Sequence, residues 1–313
     1  MLSNGHVLIW IVVLAFSFTV HGMAKPKTWS GTLKTVVFKT EGTLPLEMDI
    51  YYPSGKIQKP APAHIFIHGG GWTANSRKIV LDTPESYVVD YLAVFELLAR
   101  EGYVGVSIDY RLADDSIKMP QLVEDVNDAI RFLHKEGADY GIDSDRLAVW
   151  GSSAGGHLAL MVGLPPSDTF PGNPVLAAYP STVRCVVSWY GAGDFTLSSA
   201  RGPAGRANFK QIFGKTYDEE PDLYQHMSPV SHLAQGAVPI LLLTGQKDTT
   251  ILPEQSESLH HRAQSFGLDS TLVLVSNSGH GWRPLGGPIV PSQEEIHTLT
   301  AEFIRKHTSR RTD

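Results

Sequence analysis

Leu147-Ala-Val-Trp-Gly-Ser-Ser-Ala-Gly-Gly-His-Leu-Ala-Leu160 is an apolar strand that runs into a glycine-bounded turn and straight out into a helix. Inside it, Gly151-Ser-Ser-Ala-Gly155 fits the pattern G-x-S-x-G, whose small flanking residues let the chain turn sharply and push the central hydroxyl outward. Ser153 is therefore the candidate nucleophile. Ser152 occupies a variable position of the pattern; it reads as packing and is also carried as a candidate substrate contact. The pentapeptide by itself also describes an ordinary strand-to-helix turn. Its weight comes from the β-rich run before it, the Ala/Leu helix after it and suitable partners downstream.

A hydroxyl is a poor nucleophile at neutral pH, so the serine needs a base within hydrogen-bond reach and a third group to orient that base. In open α/β sheets reactive groups gather in the loops beyond the carboxyl ends of the strands. That rule selects Asp248, after the buried strand Val238-Pro-Ile-Leu-Leu-Leu-Thr244, and His280, after Ser270-Thr-Leu-Val-Leu-Val275. With Ser153 they follow the chain order Ser, Asp, His expected of this turn type. Asp194 also follows a strand and competes with Asp248. Among the 13 histidines, His226, His232, His260, His261, His297 and His307 lie in helical or irregular segments and lack the strand-then-glycine setting of His280; His157 lies inside the helix after the turn, with no direction assignable from sequence.

Upstream, His64-Ile-Phe-Ile-His68 is a short buried strand ending in His68-Gly-Gly-Gly-Trp72. Consecutive glycines let backbone amides turn toward one point, which suits a developing oxyanion. The expected donors are the amides of Ala154, Gly70 and Gly71, with Trp72 as an alternative donor and a candidate substrate contact. His68 reads as a residue that holds the glycine loop.

The other segments supply the frame. Thr35–Thr40 and Leu46–Tyr52 read as two exposed antiparallel strands, and Tyr103–Asp109 and Val183–Trp189 as buried ones. Helical spacing runs over 91–100, from Pro120 onward through Leu122, Val126, Ile130 and Leu133, over 253–266 and over 292–306. Glu124, Asp125, Asn127 and Asp128 read as a solvated helix face, and Asp109 with Arg111 as a structural charge pair. The segment 73–90 reads as loop and short helices near the mouth of the site, and 195–232 as either a small cap or a plain surface excursion. Alternating strands and helices imply an α/β fold with a mostly parallel central sheet covered on both faces.

Composition narrows the function classes. A chain of 313 residues with a net charge of −6 and no basic stripe argues against nucleic-acid binding. No Cys/His cluster, H-E-x-x-H or Walker-type loop appears, so neither metal nor other cofactor is implied. The single cysteine, Cys185, excludes an intrachain disulfide and reads as a core residue. The apolar run Val7–Val20, followed by small and polar residues to Ala24, fits a signal peptide over 1–24 ahead of one catalytic domain over 25–313, and hence a secreted or periplasmic protein. No Lys or Arg precedes the run, which keeps an uncleaved signal anchor as the alternative; no other membrane segment is expected.

Taken together, His68-Gly-Gly-Gly-Trp72, Asp109-Tyr-Arg-Leu112, Trp150-Gly-Ser-Ser-Ala-Gly-Gly-His157 and Ser278-Gly-His-Gly-Trp282 resemble the α/β-hydrolase fold. More narrowly they are similar to hormone-sensitive-lipase-like carboxylesterases and to the bacterial feruloyl- and acetyl-esterase-like family, from about Thr35 onward. The resemblance implies oxyanion hole, nucleophile, acid and base at the matching positions. It also implies a substrate bearing small acyl groups: acetate or ferulate on carbohydrate, or other small esters. Two departures are a longer 73–90 segment and Ala113-Asp-Asp115 in place of Ala-Pro-Glu. An amidase or peptidase of the same fold is the main alternative, and a binding protein on a hydrolase scaffold the third reading. Oligomeric state is not readable from sequence.

Overall fold

A computed structural model of the chain describes residues 28–82, 89–166, 168–198 and 209–310. The expected leader, and parts of the 73–90 and 195–232 segments, lie outside the described residues. Eight strands form one sheet: β1 Thr32–Glu41, β2 Leu44–Tyr52, β3 Ala61–Ile67, β4 Val104–Ile108, β5 Ile142–Ser152, β6 Val186–Trp189, β7 Ile240–Gly245 and β8 Ser270–Val275. Their order is β1-β2-β4-β3-β5-β6-β7-β8. From β4 to β8 every neighbouring pair is parallel, while β2 is antiparallel to β4 and β1 antiparallel to β2. The first two strands were expected to be exposed. Only β1 largely is; β2 lies between two strands, and Met48, Ile50 and Tyr51 are fully buried.

Helices fill both faces: α1 Tyr91–Arg100, α2 Met119–Glu136, α3 Ala154–Gly163, the short α4 Pro221–His226, α5 Glu254–Ser265 and α6 Gln293–Thr308. The period-two alternation of strand side chains divides even an all-apolar strand between two cores. On β5, Leu147 and Val149 join a cluster with α2, α3 and α5. Ala148 and Trp150 point the other way, into a cluster with α1 and α6 that is dense in aromatics. Trp150 and Trp189 are both fully buried there, with ring centroids 5.1 Å apart. Among the described residues no helix is long and apolar enough to cross a membrane.

The acidic face of α2 departs from expectation. Asp125, Asn127 and Asp128 are buried, not solvated, and the edge strand β1 brings Lys39 over the two carboxylates. The Lys39 ammonium lies 2.8 Å from both Asp125 Oδ1 and Asp128 Oδ2 and 2.9 Å from Glu41. Arg111 grips Asp125 with two nitrogens, each at 2.7 Å, and Arg131 reaches Asp128 at 3.1 Å. Burial pushes the Lys39 pKa down, but Asp125, Asp128 and Glu41 outweigh it and the net shift is upward. Asp109 and Arg111 are accordingly not a pair. Asp109 instead joins Glu47 and Asp49 around Arg77, which arrives on the 3₁₀ turn Arg77–Val80.

Removing one member of a buried, charge-balanced group leaves its partners uncompensated, at a cost of about 3–5 kcal/mol. Lys39→Met should therefore lower unfolding free energy by about that amount, although the substitution is apolar and nearly volume-matched. Urea denaturation of both proteins checks this, and an unchanged midpoint would contradict the account.

Candidate active site

The site forms at the carboxyl edge of the sheet, where the strand order reverses between β3 and β5. A crevice opens at such a switch point in doubly wound sheets. Ser153 stands between β5 and α3 with φ 54 and ψ −120, a strained conformation for a side-chain-bearing residue. The turn is held by close approach. A Cβ on Gly155 would lie 2.0 Å from the Ile67 carbonyl oxygen, and one on Gly151 would lie 2.4 Å from that of Gly155. Glycine at these positions lets α3 begin directly against the end of β3.

Three side chains from three strand ends meet here. His280 Nε2 accepts from the Ser153 hydroxyl at 3.0 Å, and His280 Nδ1 donates to Asp248 Oδ2 at 2.7 Å. The other oxygen, Asp248 Oδ1, accepts from the amides of Thr250 and Ile251, so both oxygens of a buried carboxylate are engaged. The geometry fits proton transfer from a hydroxyl to an oriented imidazole. Lys247 bridges the two loops involved, donating to Asn277 Oδ1 at 3.0 Å and the Leu285 carbonyl at 2.7 Å. Asp194, the competing carboxylate, turns away: its Oδ1 accepts from the amide and hydroxyl of Thr196.

The glycine loop lies opposite. Gly70, Gly71 and Trp72 have φ of 113, 60 and 64, and the loop is closed by the Thr73 amide donating to the Gly70 carbonyl. A Cβ on Gly70 would strike the Ala74 carbonyl oxygen at 2.2 Å. His68 donates from Nδ1 to the Gly69 carbonyl at 2.8 Å and stacks on Tyr110, whose hydroxyl donates to the His68 carbonyl. Among the described residues the amides of Gly70, Gly71 and Ala154 donate to no acceptor. A Cβ built on Gly69 would lie 3.3 Å from the Ser153 Cβ, so the loop runs beside the serine, and backbone amides there are what an oxyanion would require.

Of the two candidate substrate contacts, Ser152 packs as its place in the pattern suggests, and both side chains are buried. Ser152 is fully buried, and its hydroxyl donates to Tyr91 at 3.0 Å beneath the turn, because consecutive residues at a strand end point to opposite sides. Trp72 is also buried. Its indole lies edge-on to His157 and Phe195. Tyr190 was missed. It follows β6 with φ 41 and packs edge-on against His280 at 4.7 Å, backed by Trp282 at 4.6 Å. Its place directly after a strand was the available signal. Among the described residues no group of three or more His, Cys, Asp and Glu could hold a metal ion.

Comparison with known proteins adds a family. The BD-FAE family model matches residues 48–263. Esterase LipC of Mycobacterium tuberculosis is 31% identical over 270 residues, covering 83% of this chain and 64% of that protein. Esterase LipQ of the same organism is 28% identical, covering 66% of this chain and 47% of its own length. The chain thus spans between about half and two thirds of these two relatives. Among solved structures, a truncated carbohydrate esterase from gut microbiota superposes with a TM-score of 0.72 at 23% identity, covering 91% of this chain and 99% of that one. An esterase of Thermogutta terrifontis gives 0.70 at 22% identity, covering 90% and 94%. At those identities the two structures speak for the fold.

The buried histidines predict acid sensitivity. Burial, the largest cause in each case, pushes His64 down to about 3 and His68 and His157 down to about 4, from 6.5. Their folded pKa values lie below the unfolded ones, so the unfolded chain binds more protons as pH falls. Their contribution is fully present above about pH 6.5 and is lost progressively toward pH 4, by on the order of 1.4 kcal/mol per pH unit for each. Urea midpoints measured between pH 7 and pH 4.5 should fall monotonically; a flat profile would refute neutral burial of these rings.

Proposed function

The chain belongs to the BD-FAE family, and from that premise we propose that it is a serine carboxylic-ester hydrolase acting through an acyl-enzyme. The observation that carries the reading is the continuous hydrogen-bonded chain Ser153–His280–Asp248. In this reading Ser153 Oγ attacks the ester carbonyl carbon while His280 Nε2 takes the hydroxyl proton. The carbonyl electron pair moves to oxygen and is stabilised by the amides of Ala154 and of the Gly70–Gly71 turn. Asp248 holds the imidazole tautomer and stabilises its protonated form. Collapse breaks the bond to the alkoxide, which leaves with the proton from His280. Water then repeats the sequence on the acyl-enzyme and releases the acid.

Small acyl groups, acetyl or feruloyl esters of carbohydrate among them, are the proposed substrate class. The motif combination and the kinship with proteins named as esterases support it. The test is a rate panel on nitrophenyl acetate, butyrate and octanoate, methyl ferulate and a matching anilide, for wild type and Ser153→Ala. Ester cleavage should fall on the order of 10⁵-fold in the variant, with the anilide untouched throughout. Serine-independent turnover would overturn the assignment, and anilide cleavage at comparable rates would move it to amide substrates.

Export is part of the proposal, supported by the apolar run Val7–Val20 and the small and polar residues that follow it. Expressed in a bacterial host, the chain is expected to accumulate outside the cytoplasm with a new N-terminus near Ala24. Terminal sequencing decides this: an intact Met1 in the membrane fraction would indicate an anchor instead.

A further inference from the structure

His157 sits one helical turn beyond Ser153 and donates its amide to the Ser153 carbonyl. Its ring is fully buried, with both nitrogens engaged. The Trp72 indole N–H donates to Nδ1 over 3.2 Å, which leaves the ring proton on Nε2, and Nε2 donates to the Met227 carbonyl at 2.9 Å. Phe195 packs edge-on to the same ring at 4.9 Å. Trp72 is the residue immediately after Gly71, and a positive φ on so large a side chain persists only where its surroundings hold it. Two hydrogen bonds do so: the indole to His157, and the Trp72 carbonyl accepting from the Ala113 amide at 2.8 Å. The Gly70 and Gly71 peptides are thus slung between a fixed Gly69, whose carbonyl is taken by His68 and Asn75, and a fixed Trp72.

We propose that His157 is a positioning residue for the oxyanion hole. Acting through the Trp72 indole, it sets the direction of the Gly70 and Gly71 amides. Because it belongs to the helix that begins at Ser153, it ties those donors and the nucleophile into one unit. The inference rests on the esterase reading above. Oxyanion donors act chiefly in the transition state, so misdirecting them lowers kcat and leaves KM nearly unchanged.

The experiment compares His157→Leu, His157→Asn, Trp72→Phe and the Trp72→Phe/His157→Leu double variant on nitrophenyl butyrate. Leucine removes both hydrogen bonds, asparagine keeps an acceptor near the Nδ1 position, and phenylalanine keeps a ring while removing the indole N–H. In His157→Leu and Trp72→Phe, kcat should fall on the order of 10- to 100-fold with KM within about twofold. Affinity for an alkylboronic acid, which forms a tetrahedral adduct with the serine, should fall by the same factor as kcat. His157→Asn should recover most of the loss, and the double variant should be no slower than the worse single one, since both break the same link. Wild-type kcat in folded Trp72→Phe overturns the proposal, and that variant decides the matter even if His157→Leu fails to fold. Additive losses in the double variant, or losses confined to KM, overturn it equally. Absence of ester turnover by the wild type would instead overturn the functional reading on which the proposal stands.

Discussion

The site depends on how closely α3 approaches the end of β3. Gly151 and Gly155 remove the side chains that would collide with the backbone there, and the gain is a serine raised on a strained turn next to the glycine loop. The strain at Ser153, φ 54, is the sort that persists only where neighbours over-determine it. The Ser153 amide donates to the Trp189 carbonyl at 2.8 Å and its carbonyl accepts from His157, so strand β6 and helix α3 pin the turn from either side. The proximity of β3, β5 and β6 then brings the loops that follow them to one rim.

Histidines serve two different ends in this architecture, and environment separates them. His68 and His157 are buried, held neutral by desolvation and committed to fixed hydrogen bonds. They act as rigid connectors for the glycine loop. His280 is partly open to the crevice, with one nitrogen on a carboxylate and the other on a hydroxyl. A ring free to exchange a proton must sit where water and substrate reach it, whereas a ring that locks backbone is best kept dry.

Charge does related work at the far edge. The Lys39, Arg111 and Arg131 cations meet Asp125 and Asp128 under β1, where a dry environment makes both pairing and mispairing expensive. This group fastens the antiparallel edge of the sheet to α2. The neighbouring Arg77 group, gathering Glu47, Asp49 and Asp109, fastens the segment after the glycine loop to β2 and β4. Both groups join parts of the chain that are distant in sequence.

Much of this was legible from residue order. The buried strands, α1 over 91–100, the strand at 270–275 and the turn at Gly151–Gly155 follow from local periodicity and glycine placement, because those signals are carried within a few residues. Ser153 could be singled out from the G-x-S-x-G pattern, and Asp248 and His280 from strand-then-loop settings, with Asp194 as a competitor for the acid. What could not be read were facts about facing. Asp125 and Asp128 look like a solvated stripe until β1 covers them, Asp109 and Arg111 look like partners until Arg77 and Asp125 take them, and Trp72 looks like a substrate contact until its indole turns to His157. Local sequence determines which groups are present and the conformations they prefer. Which of two faces a group presents, and what it meets there, is decided only when strands from distant parts of the chain pair and bring in the neighbours that desolvate or neutralise it.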